Sequence, residues 1–129
     1  ISHIEKQLDA VLSDISFGAV KIGMLHSCAV IKCVQQKLAE YKVKNIIIDP
    51  VMVATSGDTL LDVKAISCLK LFLPKAVLVT PNIPEAALLI GHEINSETIE
   101  SAAKELGARF GTSILLKGGH LKHASNTIT

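Results

Sequence analysis

The stretch NIIIDPV, residues 45–51, carries the pattern that decides the fold. Its three consecutive isoleucines predict a short strand buried on both faces, because a half-exposed strand would alternate apolar with polar residues. Three more runs of this kind follow the same rule: AVKIG (19–23), AVLVTP (76–81) and SILLKGG (113–119). The sequence therefore predicts four buried strands.

The segments between these strands have the apolar spacing of helices, at residues 27–41, 63–71, 85–90 and 96–110. Ser2 and Ser96 are suited to begin helices, and Gly91 and Gly111 to end them. Strands that alternate with helices are typical of a parallel sheet in an α/β fold. Because no linker or repeat interrupts the pattern, we expect residues 1–129 to form a single domain.

Composition narrows the class of function. The chain is 49% apolar, only 3% aromatic and carries a net charge of +1 from interspersed residues. This balance gives no basic surface for nucleic acid, and no apolar run is long enough to cross a bilayer. A cytoplasmic enzyme acting on a small molecule is the better expectation.

The three cysteines, Cys28, Cys33 and Cys68, have no spacing typical of a metal site. Cys28 and Cys33 lie within one predicted helix, so we interpret the cysteines as reduced, buried packing residues. The five histidines are likewise scattered without ligand spacing, and no zinc site is predicted.

Ligands of open parallel sheets bind beyond the carboxyl ends of the strands, where loops and helix N-termini converge. Polar or unusual residues follow all four predicted strands: residues 21–24, 49–52, 80–85 and 117–120. There is no GxxxxGK[ST] loop and no GxGxxG motif, so neither a P-loop nor a dinucleotide fingerprint is present. Any use of a nucleotide needs another architecture.

Four longer segments carry a family resemblance: DAVLSDISFGAVKIGML (9–25), IIIDPVMVATSGDTLL (46–61), VTPNIPEAALLIG (79–91) and ILLKGGHL (114–121). Together they resemble the hydroxymethylpyrimidine (phosphate) kinases of thiamine biosynthesis, in the ribokinase superfamily. DPVMVATSGD is the specific element, whereas N-x-x-E and KGG are shared more widely, including by pyridoxal kinases.

The resemblance implies a ribokinase-like three-layer sandwich, incomplete in this chain, that uses ATP and Mg²⁺. The implied reaction is phosphorylation of 4-amino-5-hydroxymethyl-2-methylpyrimidine, of its monophosphate, or of both. Family members also have an N-terminal Gly-rich stretch and a C-terminal Gly-Thr-Gly segment with the catalytic group. Neither occurs here, so we expect the central part of such a kinase, with no turnover of its own and no catalytic residue. A homodimer is a further expectation.

Two alternatives stay open. Pyridoxal kinase is the nearer one, since both substrates are flat heteroaromatic rings with a hydroxymethyl group. The other is a non-catalytic ligand-binding or partner-binding module built on a truncated kinase fold.

Asn82 and Glu85 form the N-x-x-E pattern, in which the resemblance implies that Glu85 organises Mg²⁺ and that Asn82 contacts nucleotide phosphates. Mg²⁺ prefers hard oxygen ligands and keeps several waters, so one or two carboxylates suffice. The same spacing is that of a capping box, with Asn82 as N-cap and Glu85 at the third helical position. Both roles are compatible, because a cap also fixes the carboxylate.

Four further residues complete the predicted site. Asp49 ends a buried strand and is interpreted as a second metal-linked carboxylate, with a turn former as the alternative. Lys117 precedes two glycines and is predicted to contact nucleotide phosphates, although Gly-Gly is also a common turn. The resemblance implies that Met24 and Val51 line the pyrimidine pocket, whereas without it both would be core residues.

Overall fold

The computed structural model describes residues 2–14, 18–52, 62–118 and the short strand 127–128. Five helices, five strands and one 3-10 turn are present in these residues. They are α1 (Ser2–Asp14), β1 (Val20–Ile22), α2 (Cys28–Glu40), β2 (Ile46–Ile48), α3 (Val63–Phe72), the 3-10 turn Leu73–Lys75, β3 (Leu78–Val79), α4 (Ile83–Ile90), α5 (Ile99–Phe110), β4 (Ser113–Leu116) and β5 (Thr127–Ile128).

The four predicted strands pair in parallel in the order β1-β2-β3-β4, and β5 joins β4 antiparallel. Each strand is shorter than its apolar run, because the residues beyond it turn into loops at the sheet edge. The α/β class predicted from the alternation is confirmed.

One face of the sheet is the core. A row of aligned residues crosses all four parallel strands and is buried: Ile22, Ile48, Val79 and Ile114. Side chains from the helices, among them Leu38, Phe72, Leu89 and Leu106, pack with this row in one cluster. Sequential strands joined by right-handed crossovers carry all their helices on the same face, and the burial pattern agrees with that geometry.

The other face is less covered than the sequence predicts. The next aligned row consists of Lys21 and Ser113, which are exposed, and Ile47 and Leu78, which are half-buried. The prediction that the strands are buried on both faces is therefore wrong for the described residues. The reason is topological, since the sheet and one helical layer are present there and a second helical layer is not.

Helix ends follow the residue types that the chain supplies. Ser27 caps α2 and Asp62 caps α3, each accepting a hydrogen bond from a backbone N–H three residues later, at 3.2 Å and 2.7 Å. Gly91 and Gly111 end α4 and α5 with positive φ values of 91° and 64°, as predicted.

The predicted cap at Ser96 is wrong, because α5 begins later, after Thr98. Asn95 explains the delay. Its side-chain oxygen accepts the backbone N–H groups of Glu97 and Thr98, at 2.9 Å and 3.1 Å, and so forms a turn in place of the first helical residues.

The cysteine prediction is right for Cys33, which is buried and free, and wrong for the other two. Cys28 on α2 and Cys68 on α3 form a disulfide, with their Cα atoms 5.5 Å apart. Their partnership follows from the packing of α2 on α3, which brings together residues 40 positions apart. The spacing of Cys28 and Cys33 along α2 could not predict this disulfide.

A polar cluster fastens α1 to α2. Lys37 Nζ lies 2.8 Å from Asp9 Oδ1, and the Tyr41 hydroxyl donates to the same oxygen at 3.0 Å. These hydrogen bonds, first from Lys37 and then from Tyr41, hold the pKa of Asp9 below its ordinary value.

Among the described residues, no helix has the length and apolar character needed to cross a bilayer.

We predict that Asp9→Asn destabilises the protein in a pH-dependent way. A carboxyl whose pKa is lowered on folding contributes stability above its unfolded value, near 4, and loses it as pH falls through the lowered pKa. The denaturant midpoint of the wild type should therefore exceed that of Asp9→Asn near pH 7, and the difference should shrink below about pH 4.

Glu40→Gln is the matched control, since Glu40 meets Lys37 at 3.5 Å but leaves the Asp9 contacts in place. A midpoint difference between wild type and Asp9→Asn that stays constant from pH 7 to pH 3 would contradict the assignment.

Candidate active site

Three adjacent strands deliver polar residues to one edge of the sheet. Asp49 directly follows β2, Asn82 follows β3, and Lys117 follows β4. Asn82 and Lys117 form a parallel bridge that extends the pairing of β3 with β4, and the Lys117 N–H donates to the Pro81 carbonyl at 2.9 Å. Polar side chains therefore gather beyond the carboxyl ends of the strands, as the sequence predicts, and backbone hydrogen bonds hold their segments together.

An ion pair crosses this edge. Lys117 Nζ lies 3.5 Å from Asp49 Oδ1, with side-chain exposures of 43% and 20%. The Asp49 oxygen is buried, yet it has no hydrogen-bond partner in the described part of the chain. A half-exposed ion pair contributes about 0–1 kcal/mol, which is too little to offset a buried oxygen without a hydrogen bond. Stability alone therefore does not account for Asp49.

The backbone around Asp49 is tightly constrained. Its N–H donates to the Ile22 carbonyl at 2.8 Å, and its own carbonyl accepts the Val51 N–H at 2.8 Å across Pro50. The turn that the sequence offered as an alternative for Asp49 is thus present. It leaves the carboxylate free to face Lys117.

Asn82 and Glu85 form the capping box that their spacing predicts. The Asn82 side chain accepts the Glu85 N–H at 2.8 Å, and Glu85 Oε1 accepts the Asn82 N–H at 2.9 Å. Pro84 lies in the first turn, where its missing N–H costs nothing. The box fixes both side chains at the start of α4, beside the edge of β3.

Glu85 also reaches a second segment. Its other carboxylate oxygen, Oε2, accepts the Met52 N–H at 3.4 Å, so this one side chain links the start of α4 to the loop after β2. Glu85 is 3% exposed, and this burial raises the pKa of its carboxyl, while the hydrogen bonds from Asn82 and Met52 oppose the rise. The neighbouring Asp49 raises it further, and Lys117 lowers it.

The contact with Met52 was missed by the sequence analysis. Met52 is fully buried, and its side chain belongs to the core. The site uses the backbone N–H of Met52. Every residue type except proline has this group, so the identity of residue 52 could not predict the contact.

Met24 and Val51 lie at the same edge but farther along it. Met24 comes two residues after β1 and is 37% exposed, whereas Val51 is half-buried in the loop after β2. Met24 thus follows the strand next to β2, and Val51 follows Asp49 by two residues in the loop after β2. The structure thus brings four of the six predicted residues into one contact network and sets the other two beside it.

The residues suit Mg²⁺ better than a metal that demands a full protein cage. No group of three or more His, Cys, Asp or Glu side chains that could hold an ion occurs among the described residues. Asp49, however, offers a hard carboxylate oxygen without a hydrogen bond, with Glu85 nearby. Mg²⁺ is commonly bound through one or two carboxylates, waters and substrate phosphates, so this sparse set fits it.

Several residues that the sequence analysis singled out, including Gly57, Asp58, Gly119, His120 and His123, lie outside the described residues.

The fold recurs in solved kinase structures. The phosphomethylpyrimidine kinase of Clostridium difficile matches 99% of this chain and 57% of its own, with a TM-score of 0.89 and 36% identity. The ADP complex of pyridoxal kinase from Bacillus subtilis matches 99% of this chain and 53% of its own, with a TM-score of 0.84 and 28% identity. The described part of the chain therefore has the α/β fold of the ribokinase-like kinases.

The sequence gives a closer assignment. Residues 1–129 match the family described as phosphomethylpyrimidine kinase. The bifunctional thiamine biosynthesis protein ThiED of Geobacter sulfurreducens is 48% identical over 123 residues, 93% of this chain and 25% of that protein. The hydroxymethylpyrimidine/phosphomethylpyrimidine kinase of Salmonella typhimurium is 38% identical over 126 residues, 95% of this chain and 47% of that protein. The chain belongs to the phosphomethylpyrimidine kinase family, and it spans less than half the length of these two relatives.

We predict that Glu85→Gln destabilises the full-length protein by about 1 kcal/mol, since both carboxyl oxygens of Glu85 can accept a hydrogen bond even when one is protonated, whereas the amide nitrogen of glutamine cannot accept one. Because burial raises the pKa of Glu85, its contribution to stability is greatest at low pH and is lost as pH rises through that pKa. The advantage of the wild type over Glu85→Gln should therefore shrink with rising pH, as measured by urea unfolding.

Glu100→Gln is the control. Glu100 is also in a first helical turn, but it is exposed, and among the described residues its one ion pair is with Lys104, at 3.7 Å. Its loss should change stability by less than about 0.5 kcal/mol. Equal effects of the two substitutions would show that the two buried hydrogen bonds of Glu85 carry no weight.

Proposed function

We propose that the full-length protein transfers a phosphoryl group from ATP to 4-amino-5-hydroxymethyl-2-methylpyrimidine, to its monophosphate, or to both, in thiamine biosynthesis. Family membership supports the reaction class. The observation that carries the proposal for this chain is the buried Asp49 oxygen facing Lys117 beside the capping box of α4. Phosphoryl transfer depends on positioning and charge neutralisation, and this edge offers both.

Lys117 is the proposed contact for nucleotide phosphates. Its side chain is 43% exposed, and its backbone N–H is hydrogen-bonded to the Pro81 carbonyl, so a partly exposed charge is carried on a fixed backbone. Asn82 is proposed beside it, because the start of α4 presents backbone N–H groups and the positive end of a helix dipole to an anion.

Asp49 and Glu85 are the proposed metal-linked carboxylates. Mg²⁺, when bound, would neutralise phosphate charge. Asp49 Oδ1 accepts no hydrogen bond from the described residues, whereas both oxygens of Glu85 already accept backbone N–H groups. We therefore assign the direct role to Asp49 and a role through bound water to Glu85. No residue of this chain is proposed as the catalytic group.

Met24 and Val51 are proposed to line the pocket for the pyrimidine ring. Both are apolar, both follow neighbouring strands at the ligand edge, and Met24 keeps a third of its surface exposed, which is unusual for a core methionine. A flat ring gains from apolar contact on its faces.

Pyridoxal is the second candidate substrate. The observation in its favour is the likeness to the pyridoxal kinase of Bacillus subtilis over 99% of this chain. The higher identities to pyrimidine kinases favour the pyrimidine. A homodimer and a cytoplasmic location remain predictions.

The decisive experiment assays the full-length protein with Mg-ATP and each of three acceptors: the pyrimidine alcohol, its monophosphate and pyridoxal. We expect the highest kcat/KM with a pyrimidine acceptor. Faster turnover of pyridoxal would transfer the proposal to that substrate. Phosphorylation of none of the three, by protein that still binds ATP, would favour a non-catalytic ligand-binding module.

We predict that Met24→Ala raises the KM for the pyrimidine roughly 5- to 100-fold and leaves the KM for ATP unchanged, since removal of one apolar contact from a small pocket costs about 1–3 kcal/mol. Leu88→Ala is the matched control, because Leu88 has nearly the same exposure, 38%, but lies within α4. Steady-state kinetics of both variants test this. A parallel rise in both Michaelis constants for Met24→Ala would argue against the pocket.

A further inference from the structure

The disulfide between Cys28 and Cys68 lies outside the charged edge and has no role in the proposed transfer. Cys28 is the first residue of α2, and Cys68 lies on α3. Both are half-buried, whereas Cys33, five residues along α2 from Cys28, is only 6% exposed. Two of the three cysteines are therefore partly exposed to solvent, and these two are the bonded ones.

The bond joins α2 and α3, the helices that come after the two proposed pyrimidine contacts, Met24 and Val51, along the chain. Residues 23–27, which include Met24, lead directly into Cys28 and α2. The chain enclosed between Cys28 and Cys68 contains β2, Asp49 and Val51. A cross-link here restrains the segment that carries Val51 and Asp49 and the start of the helix that follows Met24, whereas the proposed nucleotide contacts Asn82 and Lys117 lie outside it.

The helices do not need the bond in order to pack. Ile31 and Leu38 of α2 and Leu69 and Phe72 of α3 are buried in the common core, so α2 and α3 remain in contact when the sulfur atoms are reduced. Both the dithiol and the disulfide are therefore compatible with the same fold, which is the condition for a reversible redox site.

We propose that Cys28 and Cys68 form a reversible dithiol–disulfide site that fastens α2 to α3 when a low-molecular-weight disulfide such as oxidised glutathione accumulates. The consequence for substrate affinity rests on the proposed function, whereas the redox chemistry does not.

The reaction is an ordinary thiol–disulfide exchange. The N-terminal end of a helix favours an anion, so the Cys28 thiolate is the attacking sulfur. It bonds to one sulfur of oxidised glutathione and releases the first glutathione thiolate. The Cys68 thiolate then attacks the Cys28 sulfur of the mixed disulfide and releases the second. Two protein thiols and one oxidised glutathione become one protein disulfide and two reduced glutathiones, the protons passing to the leaving thiolates.

The test equilibrates the full-length protein in mixtures of reduced and oxidised glutathione, alkylates the remaining thiols and maps the peptides by mass. We expect a Cys28–Cys68 peptide that appears and disappears reversibly, with Cys33 unmodified until the protein is denatured. Oxidation should raise the Tm by about 5 °C or more, because a disulfide restricts the unfolded chain. Cys28→Ser and Cys68→Ser should each abolish the shift.

The kinetic arm uses the same two redox states. We expect the KM for the pyrimidine to differ at least about fivefold between them, in the range usual for coupled sites, with a smaller change in the KM for ATP. Equal pyrimidine KM values would overturn the link to the substrate loops. A persistent glutathione adduct on Cys28, or a bond to Cys33, would overturn the redox site itself. If no acceptor is phosphorylated, the peptide map and the Tm still decide on the redox site, so its failure is distinguishable from that of the proposed function.

Discussion

The parallel pairing of β2, β3 and β4 is the constraint on which the site depends. Register aligns Ile48 with Val79 and Val79 with Ile114, so that the carboxyl ends of three strands lie at the same edge of the sheet. Asp49 and Lys117, 68 positions apart in sequence, thereby come within 3.5 Å. A slip of one residue in either pairing would turn alternate side chains to the opposite face and separate the charges. The buried row that fixes the register is thus also what assembles the edge.

Glu85 links two segments of this edge, although its burial is energetically unfavourable. Burial of a carboxylate is unfavourable, and only hydrogen bonds to the charged form offset it. Here the two bonds come from different segments, the start of α4 and the loop after β2. A glutamate whose role was helix capping alone would need only the first. The second bond explains why burial of this side chain serves the site as well as the helix.

Much of the fold could be predicted from the sequence, because the features concerned are local. The strand at the isoleucines of β2, the capping box of Asn82 and Glu85 and the helix ends at Gly91 and Gly111 each depend on a few neighbouring residues, and each prediction is confirmed. The errors arose where the outcome depends on distant neighbours. Whether Ile47 is covered depends on which helices lie across the sheet, and whether Cys28 is bonded depends on Cys68. Asp49, Asn82 and Lys117 could be proposed because they follow strands of a parallel sheet, where ligands bind. The role of the Met52 N–H could not be proposed, because every residue except proline has a backbone N–H.

The less buried face of the sheet bears on the electrostatics of the charged edge. Ile47 and Leu78 are half-buried apolar residues in the centre of the sheet, and Leu115 on β4 is half-buried as well. Contiguous apolar surface of this kind is normally covered by another layer. Asp49 follows Ile47 by two residues and so emerges on the same side, because side chains alternate along a strand. Any layer that covers Ile47 and Leu78 would therefore also lower the local dielectric around Asp49 and Lys117. Charge interactions strengthen as water is excluded. The Lys117 charge, which interacts weakly while it is half-exposed, would therefore interact more strongly with a phosphate group once that face of the sheet is covered.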